Sequence, residues 1–252
     1  MTAPEDSVRK NRLLAALPDG TCDDWPLELV ELAQGDVLFE RDEPTRHVHF
    51  PVAAVVSLLV PMSDGSLIEA ATVGNEGLAG LNVFLGANSL AMRAIAQIPG
   101  PALRMATEDF RGLLADVDGP LTAVIQRYTQ TLFTQLAQNV ACNRLHTVEQ
   151  RCARWVLMIA DRVPSGAFPL TQQFLAHMLG VRRASVSEAA GRLAKDGHLA
   201  YTRGAVRILD RPGLENRSCE CYGVIAAMLD RMLGDDVDPA AVGPTSHPAP
   251  LG

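Results

Sequence analysis

Small and polar side chains recur on one side of residues 182–195. The outward side of the helix that their spacing predicts carries Ala184, Ser187, Glu188, Gly191, Arg192 and Lys195. Short side chains allow a helix backbone to approach base edges, and Arg183, next to Arg182 in the first turn, can reach a guanine or a phosphate. We therefore expect this segment to form hydrogen bonds with DNA.

Two short helices and a tight turn would position these side chains. The first helix would carry an apolar face made of Phe174, Leu175, Met178 and Leu179. Thr171 can cap its free amides, and Gly180 suits the left-handed backbone that ends a helix. The second helix would face inward with Val186, Ala190 and Leu193. This pattern is typical of a helix-turn-helix.

A predicted β-hairpin follows the second helix. Residues 198–201 and 206–209 have the composition of two short strands, and residues 202–205 form the tight turn between them, with Arg203 at its tip. A helix-turn-helix followed by such a hairpin is a winged helix-turn-helix.

The distribution of charge supports a contact with phosphates. Residues 165–211 contain seven Lys or Arg against three Asp or Glu, a balance of +4 in a chain whose net charge is −7. A basic module on an acidic chain indicates local binding of nucleic acid. The alternative is a winged helix that serves dimerisation or protein docking.

Length and composition indicate a folded chain of two domains. The chain has 252 residues, of which 48% are hydrophobic. The N-terminus lacks a signal-peptide pattern, and the longest apolar stretch, residues 50–61, is too short to span a bilayer. We therefore expect a cytoplasmic protein without a membrane partner.

The region before residue 118 has the pattern of β structure. Turn clusters at residues 35–36, 41–44, 63–65 and 98–101 separate short apolar runs. We predict an α+β chain whose residues 28–117 form an antiparallel β-roll, or jelly roll, after a helical or flexible segment at residues 1–27.

A long helix is predicted within residues 118–146. Its stripe at spacings of three and four consists of Leu121, Ile125, Tyr128, Leu132, Leu136 and Val140. We expect the stripe to pair with a second copy of the chain, with Asn139 fixing the register. The winged helix-turn-helix would then occupy residues 147–215, followed by a partly disordered extension at residues 216–252.

These elements together resemble the Crp/Fnr family of bacterial transcription regulators over about residues 28–214. The residues that carry the resemblance are GDVLF at 35–39, VGNEGLAG at 73–80, LGVRRASVS at 179–187, and Tyr201 with Arg203 and Gly204. The resemblance implies a homodimer that reads a palindromic operator in double-stranded DNA, with RNA polymerase as a further partner.

The resemblance also assigns positions in the DNA contact. Arg183, Ala184 and Glu188 match the positions that read bases, whereas Gln173 and Ser185 match positions that contact phosphates. Ala184 stands where the cyclic-AMP receptor has glutamate and Glu188 where it has arginine, so we expect a different operator.

The effector site of the family is altered in this chain. A cyclic-nucleotide site of this family needs a glutamate after a glycine and an Arg-Ser or Arg-Thr pair. Here Leu81 follows Gly80, and Ala94 follows Arg93. The positions that would meet adenine, Leu136 and Ala137, cannot form hydrogen bonds. We expect regulation independent of cyclic AMP, and Gly77, Gly80 and Arg93 remain candidates for the pocket of another small molecule.

Five scattered cysteines do not resemble a disulfide framework. The only cysteine near the N-terminus, Cys22, excludes the iron–sulfur cluster of the oxygen-sensing branch. Cys142 and Cys152 lie near the predicted hinge, where thiol oxidation is an alternative signal. Cys219 and Cys221 are a close pair that could bind a soft metal or oxidise, but the sequence offers no second pair, and we predict neither metal nor cofactor.

A metal-dependent cupin enzyme is the competing class of function. His47 and His49 fall on the same face of a predicted strand, as in cupin sites, but residues 50–56 supply no glutamate. No nucleophile, base dyad or phosphate loop occurs in the sequence. We therefore expect no enzyme and place the histidines on a solvated face beside Arg46.

Overall fold

The computed structural model describes residues 5–164, 166–202 and 204–233. The chain runs from two short helices into a β-roll, then along one long helix into a smaller domain of helices and a three-stranded sheet. This arrangement confirms the predicted α+β class with a β-roll, a long helix and a C-terminal helix-turn-helix.

The N-terminal segment is helical and packs into the core. Helices α1 (Glu5–Lys10) and α2 (Arg12–Ala15) flank Asn11, whose side chain caps α2 by accepting from the Leu14 amide. The amide group of Asn11 also donates to the backbone oxygens of Pro51 and Gly77, at 2.8 and 3.0 Å. These bonds attach the segment to the β-roll.

The β-roll comprises seven antiparallel strands in two sheets. Its strands are β1 (Glu28–Leu32), β2 (Val37–Phe39), β3 (His47–Pro51), β4 (Val55–Pro61), β5 (Leu67–Val73), β6 (Arg93–Ile98) and β7 (Gly100–Ala106), with helix α3 (Leu81–Phe84) after β5. One sheet has the order β1-β7-β3 and the other β2-β6-β4-β5. Phe50, Leu103 and Met105 are buried between the sheets, and Phe110 of α4 (Thr107–Leu113) joins them.

Helix α5 (Pro120–Leu145) begins with proline at its first position, where the missing amide hydrogen has no helical partner. Leu121, Ile125 and Tyr128 are at most 4% exposed and belong to the core of the β-roll, and Leu132 and Leu136 pack against that core. The prediction that this stripe faces a second copy is therefore wrong for its buried members. A stripe this apolar is covered within the chain itself because the adjacent roll offers an apolar surface.

The end of the predicted stripe has a different environment. Val140 is 72% exposed, since a helical period of 3.6 residues rotates it about 100° from Leu121. Asn139 donates to the Ala70 oxygen at 2.7 Å and accepts from Arg154 at 2.7 Å, so its amide is bonded within the chain.

The C-terminal domain begins with α6 (Val148–Ala160), which starts with a capping box between Thr147 and Gln150. It continues with β8 (Ala167–Pro169), α7 (Gln172–Leu179), α8 (Arg183–Lys195), β9 (Leu199–Thr202), β10 (Ala205–Ile208) and α9 (Arg211–Arg217). The small sheet has the order β8-β10-β9, so the predicted hairpin gains a third strand.

The C-terminal domain packs directly on the β-roll. Val55, Leu59 and Ile98 of the roll belong to the apolar core of the domain. Two carboxylates, one half-buried and one buried, reach across the same boundary. Glu69 of β5 accepts from the Trp155 indole at 2.9 Å, and Glu76 pairs with Arg162 at 2.7 Å.

The last described element is α10 (Cys221–Leu233), which packs on α5. Residues 221–233 of the predicted extension are therefore helical, and the disorder predicted beyond residue 233 lies outside the described residues. In the described part of the chain, no helix combines the length and apolarity that a membrane span requires.

Candidate nucleic-acid interface

Helix α8 presents the polar side that the sequence predicts. Val186, Ala190 and Leu193 are at most 1% exposed and fix the helix on the domain core. The residues that we call the outer face are all exposed: Arg183, Ala184, Ser187, Glu188, Gly191, Arg192 and Lys195. An exposed, well-supported helix with short side chains near its start can enter the major groove of DNA.

Helix α7 and the turn hold α8 in place. The Thr171 hydroxyl accepts from the Phe174 amide at 3.1 Å and caps α7, as predicted from its position. Gly180 adopts a left-handed conformation with φ of 61° and ends the helix. Gln173 is exposed on α7, with its amide 2.8 Å from the Nε2 atom of His177.

The other predicted contact residues lie around the turn and the wing. Arg182 is exposed at the N-cap of α8, and Ser185 is half-buried in its first turn. Arg203, which the sequence predicts at the tip of the wing, lies outside the described residues, so its part in a DNA contact stays a prediction.

Arg192 has an intramolecular partner. Its Nε atom lies 2.5 Å from Glu149 of α6, and Glu149 also accepts from Arg217 of α9. Burial raises the pKa of Glu149, but the two guanidinium groups prevail and hold that pKa below its usual range. Glu149 thus joins three helices of the domain, a role that its sequence position does not reveal. Arg192 supports α8 through this ion pair and is less available to DNA than Arg183.

Gly191 is an unusual residue for the middle of a helix. A Cβ atom built at this position has no atom within 4 Å, so the space beside it is open. No packing contact within the described chain requires a glycine here.

The three predicted effector residues lie in different surroundings. Gly80 lines a cavity of about 240 Å³ between the roll and α5, which is walled mainly by apolar side chains including Leu58, Leu78, Met92, Leu132 and Leu136. Gly77 packs against the ring of Tyr128, where a side chain would not fit. Arg93 lies outside this lining and pairs with Glu40 at 3.2 Å.

The two cysteines predicted as redox candidates lie in different surroundings. Cys152 is fully buried in the apolar core, and burial raises the pKa of its thiol to about 12, which disfavours the reactive thiolate. Cys142 instead lies beside Cys219 and Cys221, with His146 next to them. In the sequence, only the spacing of four residues between Cys142 and His146 indicates that these two side chains lie on the same side of a helix.

The strand histidines are less solvated than predicted. His49 is 6% exposed, and burial lowers its pKa to about 4, which keeps the imidazole neutral. Its ring lies 6.2 Å from that of His47. Among the residues that the structure describes, no third potential metal ligand lies close to both His47 and His49.

Residues 150–217 match the family of Crp-like helix-turn-helix domains. The C-terminal part of this chain is therefore similar to Crp-like helix-turn-helix domains. In this Crp-like domain, α7, the turn at Gly180 and α8 form the helix-turn-helix itself. No curated protein matches the sequence of the chain.

Solved structures extend the likeness beyond the Crp-like domain to the whole fold. FixK2 from Bradyrhizobium japonicum is 19% identical, with a TM-score of 0.64 over 77% of this chain and 98% of its own. A CRP-family transcriptional regulator from Thermus thermophilus is 20% identical, with a TM-score of 0.63 over 75% of this chain and 96% of its own.

A third similar structure is described as responsive to c-di-GMP. It is the global regulator CLP of Xanthomonas campestris, which is 14% identical, with a TM-score of 0.57 over 73% of this chain and 94% of its own. The chain thus combines a C-terminal segment similar to Crp-like helix-turn-helix domains with the overall fold of these three solved structures.

Proposed function

We propose that the protein is a transcription regulator that binds a specific, palindromic DNA site as a homodimer through the outer face of α8. The observation that carries the proposal is this exposed face, on a helix anchored by Val186, Ala190 and Leu193 within a Crp-like domain. Arg183 would read a base edge, and the small Ala184 and Ser187 would let the backbone approach.

The proposed dimer uses a different side of α5 from the one predicted. Exposed residues recur at alternating spacings of four and three along this side: Gln126, Gln130, Phe133, Ala137, Val140 and Arg144. This spacing is that of a coiled-coil seam. Phe133 and Val140 are 63% and 72% exposed in the single chain, and a second α5 would cover them.

We further propose that cyclic AMP is not the effector. The cavity beside α5 is walled mainly by apolar side chains, and Arg93 is engaged with Glu40 outside it. A cyclic phosphate buried there would lack the charged donors that offset its desolvation. The second candidate mode of regulation is a small apolar molecule bound in this cavity, which its lining and volume favour.

Selection from a random pool of DNA duplexes tests the proposal. Purified protein is incubated at two salt concentrations, with and without cyclic AMP, and the retained duplexes are sequenced. We expect an enriched palindrome whose half-sites lie one helical turn apart, with no change on adding cyclic AMP. Enrichment of a single asymmetric site would contradict the homodimer, and enrichment only with cyclic AMP would contradict the effector proposal.

A selection that enriches no DNA sequence requires a second experiment. If no sequence is enriched, the selection is repeated with apolar extracts of cells to supply a cavity ligand. Continued failure in both conditions would contradict sequence-specific DNA binding and favour the alternative in which the winged helix docks on protein.

A further inference from the structure

Four potential metal ligands converge where α5 ends and α10 begins. Cys142 and His146 lie four residues apart at the end of α5, and Cys219 and Cys221 lie just before and at the start of α10. Their ligand atoms all lie within 4.8 Å of one another. We refer to these four residues as the cysteine cluster.

The distances fit a single tetrahedral ion. The Sγ atoms of Cys142 and Cys219 are 3.5 Å apart, and the Cys221 Sγ lies 3.5 Å from Nδ1 of His146. With zinc bonds of about 2.3 Å to sulfur and about 2.0 Å to nitrogen, a tetrahedron has edges of roughly 3.5–3.8 Å. A [4Fe–4S] cluster would hold the ligands farther apart because each binds a different iron.

The surroundings of the cysteine cluster are typical of a protein metal site. The three cysteines are at most 3% exposed, which protects thiolates from water and oxidants. Nε2 of His146 lies 3.1 Å from Glu220, so the carboxylate can orient the ring with Nδ1 toward the sulfurs. Such a carboxylate behind a histidine ligand is common in zinc sites.

Positively charged side chains near the sulfurs would offset the negative charge of a bound metal–thiolate group. Three thiolates and one divalent ion leave a net charge of −1, which is costly to bury alone. Arg151 and Arg154 of α6 lie close enough to interact electrostatically with Cys142 and Cys219. Gln138 adds a donor 3.1 Å from the Cys221 sulfur.

We propose that Cys142, His146, Cys219 and Cys221 bind one thiophilic divalent cation, with Zn²⁺ as the expected ion. The bound ion would join the end of α5 to the start of α10, two segments that lie more than seventy residues apart in sequence. Thr147 follows His146 and caps α6, so the site lies at the junction between the long helix and the Crp-like domain. The proposal does not depend on DNA binding.

Metal content of the full chain tests this proposal. The protein is purified with reduced thiols and without oxygen, loaded with Zn²⁺, desalted and analysed for zinc, and Co²⁺ is used in parallel as a spectroscopic probe. We expect about one zinc per chain and the intense thiolate-to-cobalt absorption of a tetrahedral site. Cys142→Ser and Cys221→Ser should each lower retained zinc at least tenfold.

Cys22→Ser is the matched control because it makes the same chemical change outside the cysteine cluster, and it should retain zinc as the unchanged chain does. Glu220→Gln keeps every ligand and removes only the group behind His146, so it should weaken zinc affinity about 10- to 100-fold. This variant keeps the test decisive if the serine variants fail to fold.

Four results would overturn the proposal. They are a reduced chain that retains neither Zn²⁺ nor Co²⁺, equal retention by all variants, iron with acid-labile sulfide in the isolated protein, and a Cys142–Cys219 disulfide in protein purified without oxygen.

Discussion

At the scale of single residues, Arg183 is the side chain that we propose forms the main contact with a DNA base. It is exposed in the first turn of α8, whereas Arg192 on the same helix is held by Glu149. A guanidinium group can form two hydrogen bonds with guanine, and losing such a contact costs about 1–3 kcal/mol at that base.

Replacing Arg183 with alanine should therefore weaken binding to the selected site about 10- to 100-fold and weaken binding to random DNA much less. Fluorescence anisotropy with both duplexes at two salt concentrations measures the difference. Arg46→Ala removes an equal charge from an exposed site on the β-roll and serves as the control. An equal loss on both duplexes would show that Arg183 contacts only phosphate.

Glu69 is a half-buried residue whose carboxyl group changes its protonation state with pH. Burial raises its pKa from 4.5 to about 7, against the lowering effect of its hydrogen bonds with Ser57 and Trp155. The folded chain therefore holds a proton that the unfolded chain has released between about pH 4.5 and 7. Since the folded state binds more protons in this window, its stability falls as pH rises.

Glu69→Gln mimics the protonated group and should flatten this dependence. The Glu69 contribution to the fall in unfolding free energy between about pH 5 and 8 is up to about 3 kcal/mol. Urea unfolding across this range measures it. Glu31→Gln, at an exposed site on β1, should keep the slope of the unchanged chain. The same slope in the Glu69 variant would mean that Glu69 is ionised throughout.

At the scale of elements, α5 has two sides with different roles. One side completes the core of the β-roll, and the other carries Phe133 and Val140 in solvent. Val140→Asp should place two unpaired carboxylates in the proposed symmetric seam and raise the dimer dissociation constant at least about 100-fold.

Analytical ultracentrifugation over a range of concentrations measures this effect. Val117→Asp makes the same change at another exposed valine, just before α5, and should leave the dimer intact. An unchanged dimer in the Val140 variant would exclude this side of α5 as the seam.

The sequence was sufficient to predict most elements but not their pairing. Periodicity and turn residues identified the β-roll, the long helix and the helix-turn-helix, because these are local properties. Helix α5 carries two stripes with spacings of three and four, one that begins at Leu121 and one that contains Phe133. Only the position of the β-roll in the folded chain decides which stripe the roll covers. The cysteine cluster depends on contact between residues 142 and 219, which no local pattern reveals.

At the scale of the whole molecule, a buried ion pair joins the loop after β5 to the end of α6. Glu76 and Arg162 are each 4% exposed in their side chains, and Arg162 also donates to the Met158 oxygen at 3.0 Å. Burial opposes ionisation, yet the guanidinium group of Arg162 holds the pKa of Glu76 below its usual range.

Glu76→Gln leaves Arg162 buried without its counter-charge and should lower the unfolding free energy by about 3–5 kcal/mol. Urea unfolding measures the loss. Glu5→Gln breaks an ion pair whose side chains are both more than half exposed, and it should change the midpoint very little. A wild-type midpoint for the Glu76 variant would show that the pair contributes nothing to holding the Crp-like domain on the β-roll.

Gly191 is a position where the stability of the folded chain and the proposed contact with DNA would favour different residues. A glycine inside a helix costs about 0.5–1 kcal/mol relative to alanine, and nothing in the described chain occupies the space where a methyl group would lie. Gly191→Ala should therefore raise the unfolding free energy by this amount in urea titrations. If the same substitution weakens DNA binding in anisotropy measurements, the missing methyl group marks where the duplex backbone or a base edge touches α8. A more stable protein that binds less well would then locate the contact without a structure of the complex.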